Sequence, residues 1–247
     1  MDIFKAELHI HTVLSPCGDI TMIPPLIVQQ AIANGINLIA ITDHNSTANA
    51  LAVIKAAQGS NVHVLPGMEL QTREEVHILC LFDNIESAEK WHSLVAETLP
   101  PIKNNPDFFG EQFVVDETGD YIRSETQLLA ASSSLTLKEA AELVASLGGL
   151  FIPSHIDRQA YGLLPVLGLL PQDVHFDAME ISRHTTPEEI CTRYPPVKGM
   201  PLIQGGDAHY LHEIVGANEF HIQNPTIGEL RMAFNKQGGR EIHVIQP

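Results

Sequence analysis

The first apolar run of the chain closes on two histidines one residue apart, in Glu7-Leu8-His9-Ile10-His11-Thr12. Strand side chains alternate faces, so His9 and His11 project to one side, roughly 6–7 Å apart, near enough to share a cation. Leu8 and Ile10 then face the other way, into packing. An isolated His-x-His is a weak signal. Its weight comes from later apolar runs that end in the same residue types. Asp43-His44 follows Asn37-Leu38-Ile39-Ala40-Ile41-Thr42, and Pro66-Gly67-Met68-Glu69 follows Val62–Leu65. His77 stands in Glu75-Val76-His77-Ile78-Leu79, His155 ends Leu150-Phe151-Ile152-Pro153-Ser154-His155, and Asp207-Ala208-His209 follows Pro201-Leu202-Ile203-Gln204-Gly205-Gly206. One histidine in a core is usually structural, but imidazoles and carboxylates repeated at strand ends point to a shared metal cluster and a metallohydrolase. Glu69 has two oxygens and suits a bridge between cations. Asp43 suits a supporting place behind a ligating histidine, because metal-bound imidazoles donate their other N–H to an oxygen.

Short β-rich runs alternating with helical patterns must position these residues. Ile3–Ile10, Asn37–Thr42, Val62–Leu65, Val76–Phe82, Leu150–Pro153, Ala178–Ile181, Pro201–Ile203, Glu219–Ile222 and Glu241–Ile245 read as strands. Ile23–Asn34, Ala48–Gln58, Ser87–Leu99, Glu125–Ala131, Leu137–Leu147 and Ile227–Lys236 read as helices, and Thr136-x-x-Glu139, Thr186-Pro187-Glu188-Glu189 and Thr226-x-x-Glu229 as capping boxes at helix starts. The alternation predicts a mostly parallel sheet in an α/β fold. Residues 84–134 interrupt it with Pro100-Pro101, Asn104-Asn105-Pro106 and a hairpin pattern around Gly119. This segment reads as an insertion over the site, with a structural elaboration on the outside as the alternative. No linker divides the chain, so residues 1–247 are expected to form a single domain.

Composition narrows the function classes. The chain has 14 Lys plus Arg against 30 Asp plus Glu, a formal charge of −16, which repels phosphate backbones and argues against long nucleic acid as a partner. Cys17, Cys80 and Cys191 are widely spaced with no C-x-x-C pair, as in a reducing, cytoplasmic setting. No signal-peptide pattern opens the chain and no apolar run is long enough to span a bilayer, so no membrane partner is expected. Neither a P-loop nor a G-x-S-x-G motif is present.

Taken in order, Glu7-Leu8-His9-Ile10-His11-Thr12, Ile41-Thr42-Asp43-His44, Gly67-Met68-Glu69, Glu75-Val76-His77-Ile78-Leu79, Pro153-Ser154-His155 and Gly206-Asp207-Ala208-His209 resemble the motifs of the PHP (polymerase and histidinol phosphatase) family of metal-dependent phosphoesterases. The resemblance runs from about residue 5 to residue 220. It implies a distorted (β/α)7 TIM-like barrel with a trinuclear centre at its C-terminal face, holding three divalent ions of zinc, manganese or iron. Carried over by position, one metal takes His9, His11, Glu69 and Asp207, a second takes Glu69, His77 and His155, and a third takes Asp19, His44 and His209. Asp207, His209 and His44 would also serve catalysis. Two places depart from the family pattern: Glu7 stands where Asp is usual, and the loop after the histidines reads Ser15-Pro16-Cys17-Gly18-Asp19. Asp19 fits if that loop holds three extra residues. Cys17 is an alternative ligand but reads as a bystander, since neither the loop nor its neighbours supplies an obvious cation for a thiolate.

A metal-rich site of this kind suits hydrolysis of a phosphate ester on a small metabolite or nucleotide by an activated water. Arg158 and Arg183 follow strand ends and are candidates to grip the phosphate; their alternative is a surface ion pair. His184 is a candidate hydrogen-bond donor or leaving-group acid, or a solvated loop histidine. Three other readings stay open at this level: an exonuclease on short oligonucleotides, a noncatalytic metal-stabilised module, and amide hydrolysis on a related barrel.

Overall fold

The computed structural model describes residues 1–245. In chain order the elements are β1 (Asp2–Ile10), α1 (Pro24–Ala33), β2 (Leu38–Ile41), α2 (Ala50–Ala56), β3 (His63–Gln71), β4 (His77–Leu81), α3 (Ile85–Ala96), α4 (Pro106–Phe109), β5 (Phe113–Val115), β6 (Tyr121–Ser124), α5 (Leu137–Ser146), β7 (Leu150–Pro153), α6 (Leu163–Leu167), β8 (Met179–Ser182), α7 (Pro187–Arg193), β9 (Leu202–Gly205), β10 (Asn218–Ile222), α8 (Ile227–Phe234) and β11 (Glu241–Val244). Local chemistry explains several boundaries. Pro24 and Pro25 open α1, where a missing N–H costs nothing, and full capping boxes at Thr136/Glu139 and Thr186/Glu189 open α5 and α7. Thr226 accepts the Glu229 N–H at the start of α8, but the box is half made because the Glu229 carboxylate takes the Gln223 N–H and Arg240 instead.

Seven strands form one sheet in the order β11-β10-β1-β2-β3-β4-β7. β1, β2 and β3 run parallel, whereas β4 is antiparallel to both β3 and β7, and β10 and β11 are antiparallel additions beside β1. The expected mostly parallel sheet is therefore mixed, because the short β3–β4 connection returns as a hairpin, without the crossover helix that parallel strands need. The parallel pair β8–β9 stands between the sheet's β7 and β1: Asp177 and Ile156 tie it to β7, while Ala208 exchanges backbone hydrogen bonds with His9 and His11. Phe4, Ala6, Leu8, Leu38, Ala40, Leu79 and Ile203 pack as one core, and Ile10, Ile39 and Ile41 pack outward under α1 and α2.

Leu8 and Ile10 therefore do not share a face. A register shift between Glu7 and Ile10 against β2 marks a bulge, which changes the face after Leu8. Residues 125–131 form no helix. The Gln112 side chain takes the carbonyls of Glu125 and Gln127 and the Leu129 N–H, holding that stretch extended. The 84–134 segment docks beside the loop after β1: Phe113 N–H donates to Val13 O, and Asn49 bonds both Phe113 and Val115.

Candidate metal centre

Glu69, on β3 and 1% exposed, sits at the middle of the histidine cluster. His9 Nε2 (3.2 Å), His77 Nδ1 (3.1 Å) and His155 Nε2 (3.2 Å) meet its Oε1, and His44 Nδ1 (3.0 Å) meets its Oε2. Asp207 Oδ1 lies 3.2 Å from His11 Nε2 and 3.3 Å from His9 Nε2, while its other oxygen pairs with Arg158. His9 and His11 leave β1 with their Nε2 atoms 3.1 Å apart, a separation that needs a shared proton or a cation. The antiparallel course of β4 places His77 here, because the pairing of Gln71 with His77 sets the start of β4 beside the end of β3. His155 and Asp207 turn in from the ends of β7 and β9 with φ of 30° and 47°. Such left-handed backbone costs on the order of 1–3 kcal/mol per residue and is typical of functional sites.

Behind the cluster a second set of groups fixes the imidazoles. Glu180, buried on β8, lies 2.9 Å from His9 Nδ1 and accepts the His155 backbone N–H at 3.0 Å. A carboxylate accepts only, so His9 carries its proton on Nδ1 and turns the Nε2 lone pair to the cluster. Glycine is required at 205, where a Cβ would stand 2.3 Å from the Glu180 carboxylate. On the other side His11 Nδ1 lies 2.9 Å from Ser15 Oγ, whose hydroxyl donates to Asp43 Oδ1 at 2.7 Å. Ser15 has one proton and spends it on Asp43, so His11 Nδ1 must donate. Asp43 also accepts from the Thr12 N–H and hydroxyl, which folds the loop after β1 around it. His77 is braced by stacking on Tyr161, with rings 4.4 Å apart and 5° from parallel. Glu7 accepts the Gly206 and Gly216 N–H groups and so holds the loop that presents Asp207; burial raises its carboxyl to about 7.

The donor set fits divalent cations. Donor atoms of His9, His11, Glu69 and Asp207 all lie within 4.8 Å of one another, as do those of His44, Glu69 and His77, and those of His11, His44 and His209. Burial holds His77 down at about 4, and burial together with His209 and His44 holds His11 well below its usual value, so both offer neutral imidazoles, the ligating form. Against its own burial, the surrounding imidazoles and their hydrogen bonds keep Glu69 well below the carboxylate range. Its Oε2 is buried between His44 Nδ1 at 3.0 Å and His11 Nε2 at 3.5 Å, with no well-aligned hydrogen bond among the described residues.

Of the nine expected ligands, eight meet here and Asp19 does not. Its carboxylate accepts from the Thr21 N–H and hydroxyl in a local turn, because the loop tightens before reaching it. Cys17 occupies the place beside the outer histidines, with Sγ 3.0 Å from His209 Nε2. Cys17 therefore has an imidazole neighbour that its own loop does not supply. Desolvation of the sulfur against the histidines works against its ionisation although the residue reaches the surface, but hydrogen bonds with His209 and His44 prevail and bring the thiol to about 6. A pocket of about 230 Å³ opens over Cys17, His155, Asp207 and His209, with Arg158, Arg183 and His184 on its wall. Arg183 is held by Glu213 at 2.8 Å, and Glu213 also accepts the His209 N–H. No residue of 84–134 lines this pocket; the segment docks beside the loop after β1. Sequence reasoning missed Glu180 and Tyr161, whose partners His9 and His77 are remote in sequence, and Ser15 and Glu213, which touch His11 and His209 four residues away but are anchored by the distant Asp43 and Arg183.

The PHP domain family profile matches residues 7–158, more than half of the chain. The chain belongs to the PHP domain family. The lesion-specific endonuclease Q of Pyrococcus furiosus shares its fold at a TM-score of 0.77 and 20% identity, over 98% of this PHP chain and 58% of the endonuclease. Endonuclease Q in complex with a 27-mer duplex carrying an abasic lesion at the active site matches at 0.74 and 20%, over 97% and 58%. An amidohydrolase of Chromobacterium violaceum with bound sulfate matches at 0.57 and 18%, over 86% and 90%. This PHP chain thus spans under two thirds of the endonuclease's length. No curated protein sequence matches it. The argument from net charge against long nucleic acid is overturned, since a chain of this fold was solved on duplex DNA; local charge around a site decides such binding, and a whole-chain sum does not. Among the described residues no helix is long and apolar enough to cross a membrane.

Proposed function

We propose that this PHP-family chain is a metal-dependent hydrolase of phosphate esters, acting as a single domain. The observation that carries the reading is Glu69 with four imidazoles at 3.0–3.2 Å in a buried pocket, an arrangement that charge balance completes with cations. We read β1, β2, β3, β4, β7, β8 and β9 as a distorted (β/α)7 barrel whose strand ends carry the centre. His9, His11, Glu69 and Asp207 would hold one cation, and Glu69, His77 and His155 another, with His44 and His209 at a third. What bound divalent ions supply is charge for the phosphoryl oxygens and a water acidified toward neutrality.

The chain's own groups do the rest. Arg158, fixed by Asp207 at the pocket wall, and Arg183, fixed by Glu213, present guanidinium N–H donors to a phosphoryl group entering the pocket. His184, exposed beside them, would hand a proton to the leaving alkoxide. Glu180 and the Ser15–Asp43 pair keep His9 and His11 in one tautomer, so the centre keeps its geometry as substrate exchanges.

The substrate in this reading is a small phosphorylated metabolite or a nucleotide. A second substrate, the phosphodiester of a DNA strand, is favoured by the fold shared with endonuclease Q on a lesion duplex. Metal analysis of the purified protein, paired with hydrolysis assays on phosphomonoesters, a dinucleotide and a duplex bearing an abasic site, tests both. His155→Ala and Asp207→Asn should remove activity while leaving the circular dichroism spectrum unchanged. Metal-loaded protein that releases no phosphate and cuts no strand would sink the catalytic reading.

A further inference from the structure

The loop after β1 brings a sulfur where the family pattern leads one to expect a carboxylate. Ser15 N–H donates to Thr12 O and Gly18 N–H to Ser15 O, and Asp43 anchors both Thr12 and Ser15. The turn is too tight for a side chain at 18, where a Cβ would stand 2.5 Å from Thr12 O. The loop leaves through Asp19 N–H, which donates to His209 O at 2.9 Å. Asp19 is thus bound to the centre by its backbone while its carboxylate caps Thr21. Cys17, two residues earlier, is delivered to His209 Nε2 at 3.0 Å.

Two further observations mark this corner as a ligand site. His11, His44 and His209 hold donor nitrogens within 4.8 Å of one another. Glu69 Oε2, buried and with no well-aligned hydrogen bond among the described residues, lies 3.0 Å from His44 Nδ1 and turns a lone pair into this corner. From this juxtaposition we infer that Cys17, and not Asp19, completes the outer cation site with His44 and His209, as a thiolate ligand. The inference rests on the metal-centre reading above and deepens it. On coordination the thiol releases its proton to solvent and gives a sulfur lone pair to the cation. A sulfur and two imidazoles favour zinc over manganese or magnesium at this one position, while the inner positions, with a carboxylate beside their imidazoles, discriminate less.

X-ray absorption at the zinc edge of zinc-loaded protein, with metal content by mass spectrometry, tests the assignment. A sulfur shell at about 2.3 Å is expected in the parent protein and absent in Cys17→Ser, with loss of about one zinc equivalent. Cys80 lies buried in β4 and Cys191 on α7, so neither competes for the signal. Asp19→Asn should retain both the sulfur shell and the full zinc content. Cys17→Asp should regain the lost equivalent without the sulfur shell, which separates ligation from loop folding. In the cobalt-loaded protein, a thiolate-to-metal charge-transfer band in the near ultraviolet should depend on Cys17 in the same way. Fully loaded protein without a sulfur shell, or loss of the equivalent in Asp19→Asn and not in Cys17→Ser, would overturn the inference alone. A parent protein that binds no stoichiometric zinc would overturn the metal-centre reading as well.

Discussion

The inner and outer halves of the cluster are built differently. Around Glu69 the side chains of His9, His77 and His155 are nearly sealed from solvent, and β1, β3, β4 and β7 carry or immediately precede them. Around His209 the cluster is partly open, its residues ride on the loops after β1, β2 and β9, and Cys17 is exposed. The inner half has a carboxylate at its middle and Glu180 behind it; the outer half is placed by a hydroxyl, a buried aspartate and a tight turn. Burial strengthens every electrostatic contact and raises the cost of an unpaired one. The inner half is therefore the one that should hold cations most tightly, and the outer half the one that should exchange them and meet substrate.

The largest test of that contrast removes its middle. Glu69→Gln should abolish binding at the inner positions and cut turnover by on the order of 1000-fold or more, the scale of several kcal/mol of lost charge stabilisation. His209→Ala should cost one cation and less activity; equal effects in metal content would erase the distinction. Next come the supporting groups. Glu180→Gln should weaken metal affinity by about 10- to 100-fold with little change in fold, read by competition against a chelator, and should exceed the effect of Asp43→Asn on the inner ions. An Asp43→Asn variant that loses the inner ions first would reverse the order proposed for the two halves.

Smaller effects sharpen the picture at the rim and beneath it. Arg158→Met should raise KM by about 10-fold with a lesser fall in kcat, the size of one charge-assisted hydrogen bond on phosphate. Unchanged KM for every substrate turned over would assign Arg158 to the Asp207 ion pair alone. Glu7 tests the loop that presents Asp207. Its folded carboxyl is raised to about 7 from 4.5, so the folded state loses stability as pH rises through that window and keeps the loss above it. Between pH 4 and pH 8, Glu7→Gln should therefore gain on the parent by roughly 3 kcal/mol in denaturant unfolding of metal-free protein, as an upper value for a shift of that size. A gap that does not move with pH would place the Glu7 titration at its ordinary value.

Legibility in the sequence followed the range of the interaction. Runs such as Leu38–Ile41 and Leu150–Pro153 announce buried strands through unbroken apolar residues, and Thr136 and Thr186 announce helix starts through caps formed within four residues. The bulge in β1, the reversed β4 and the absence of a helix at residues 125–131 depend on contacts with β2, β3 and Gln112, and a local pattern does not contain them. The site divides the same way. His9, His11, Glu69, His77, His155 and Asp207 stand out because they close or open apolar runs, whereas Glu180 is one acidic residue among many until β8 brings it under His9.

By itself, then, the sequence determined an α/β chain with imidazoles and carboxylates at successive strand ends, since strand periodicity and residue type are local properties. Only the tertiary structure decided that Cys17 and not Asp19 faces His209, and that Arg158 reaches Asp207. A loop's side-chain direction is set by hydrogen bonds to remote groups, here Asp43 and the His209 carbonyl, and these exist only once β1, β2 and β9 lie side by side.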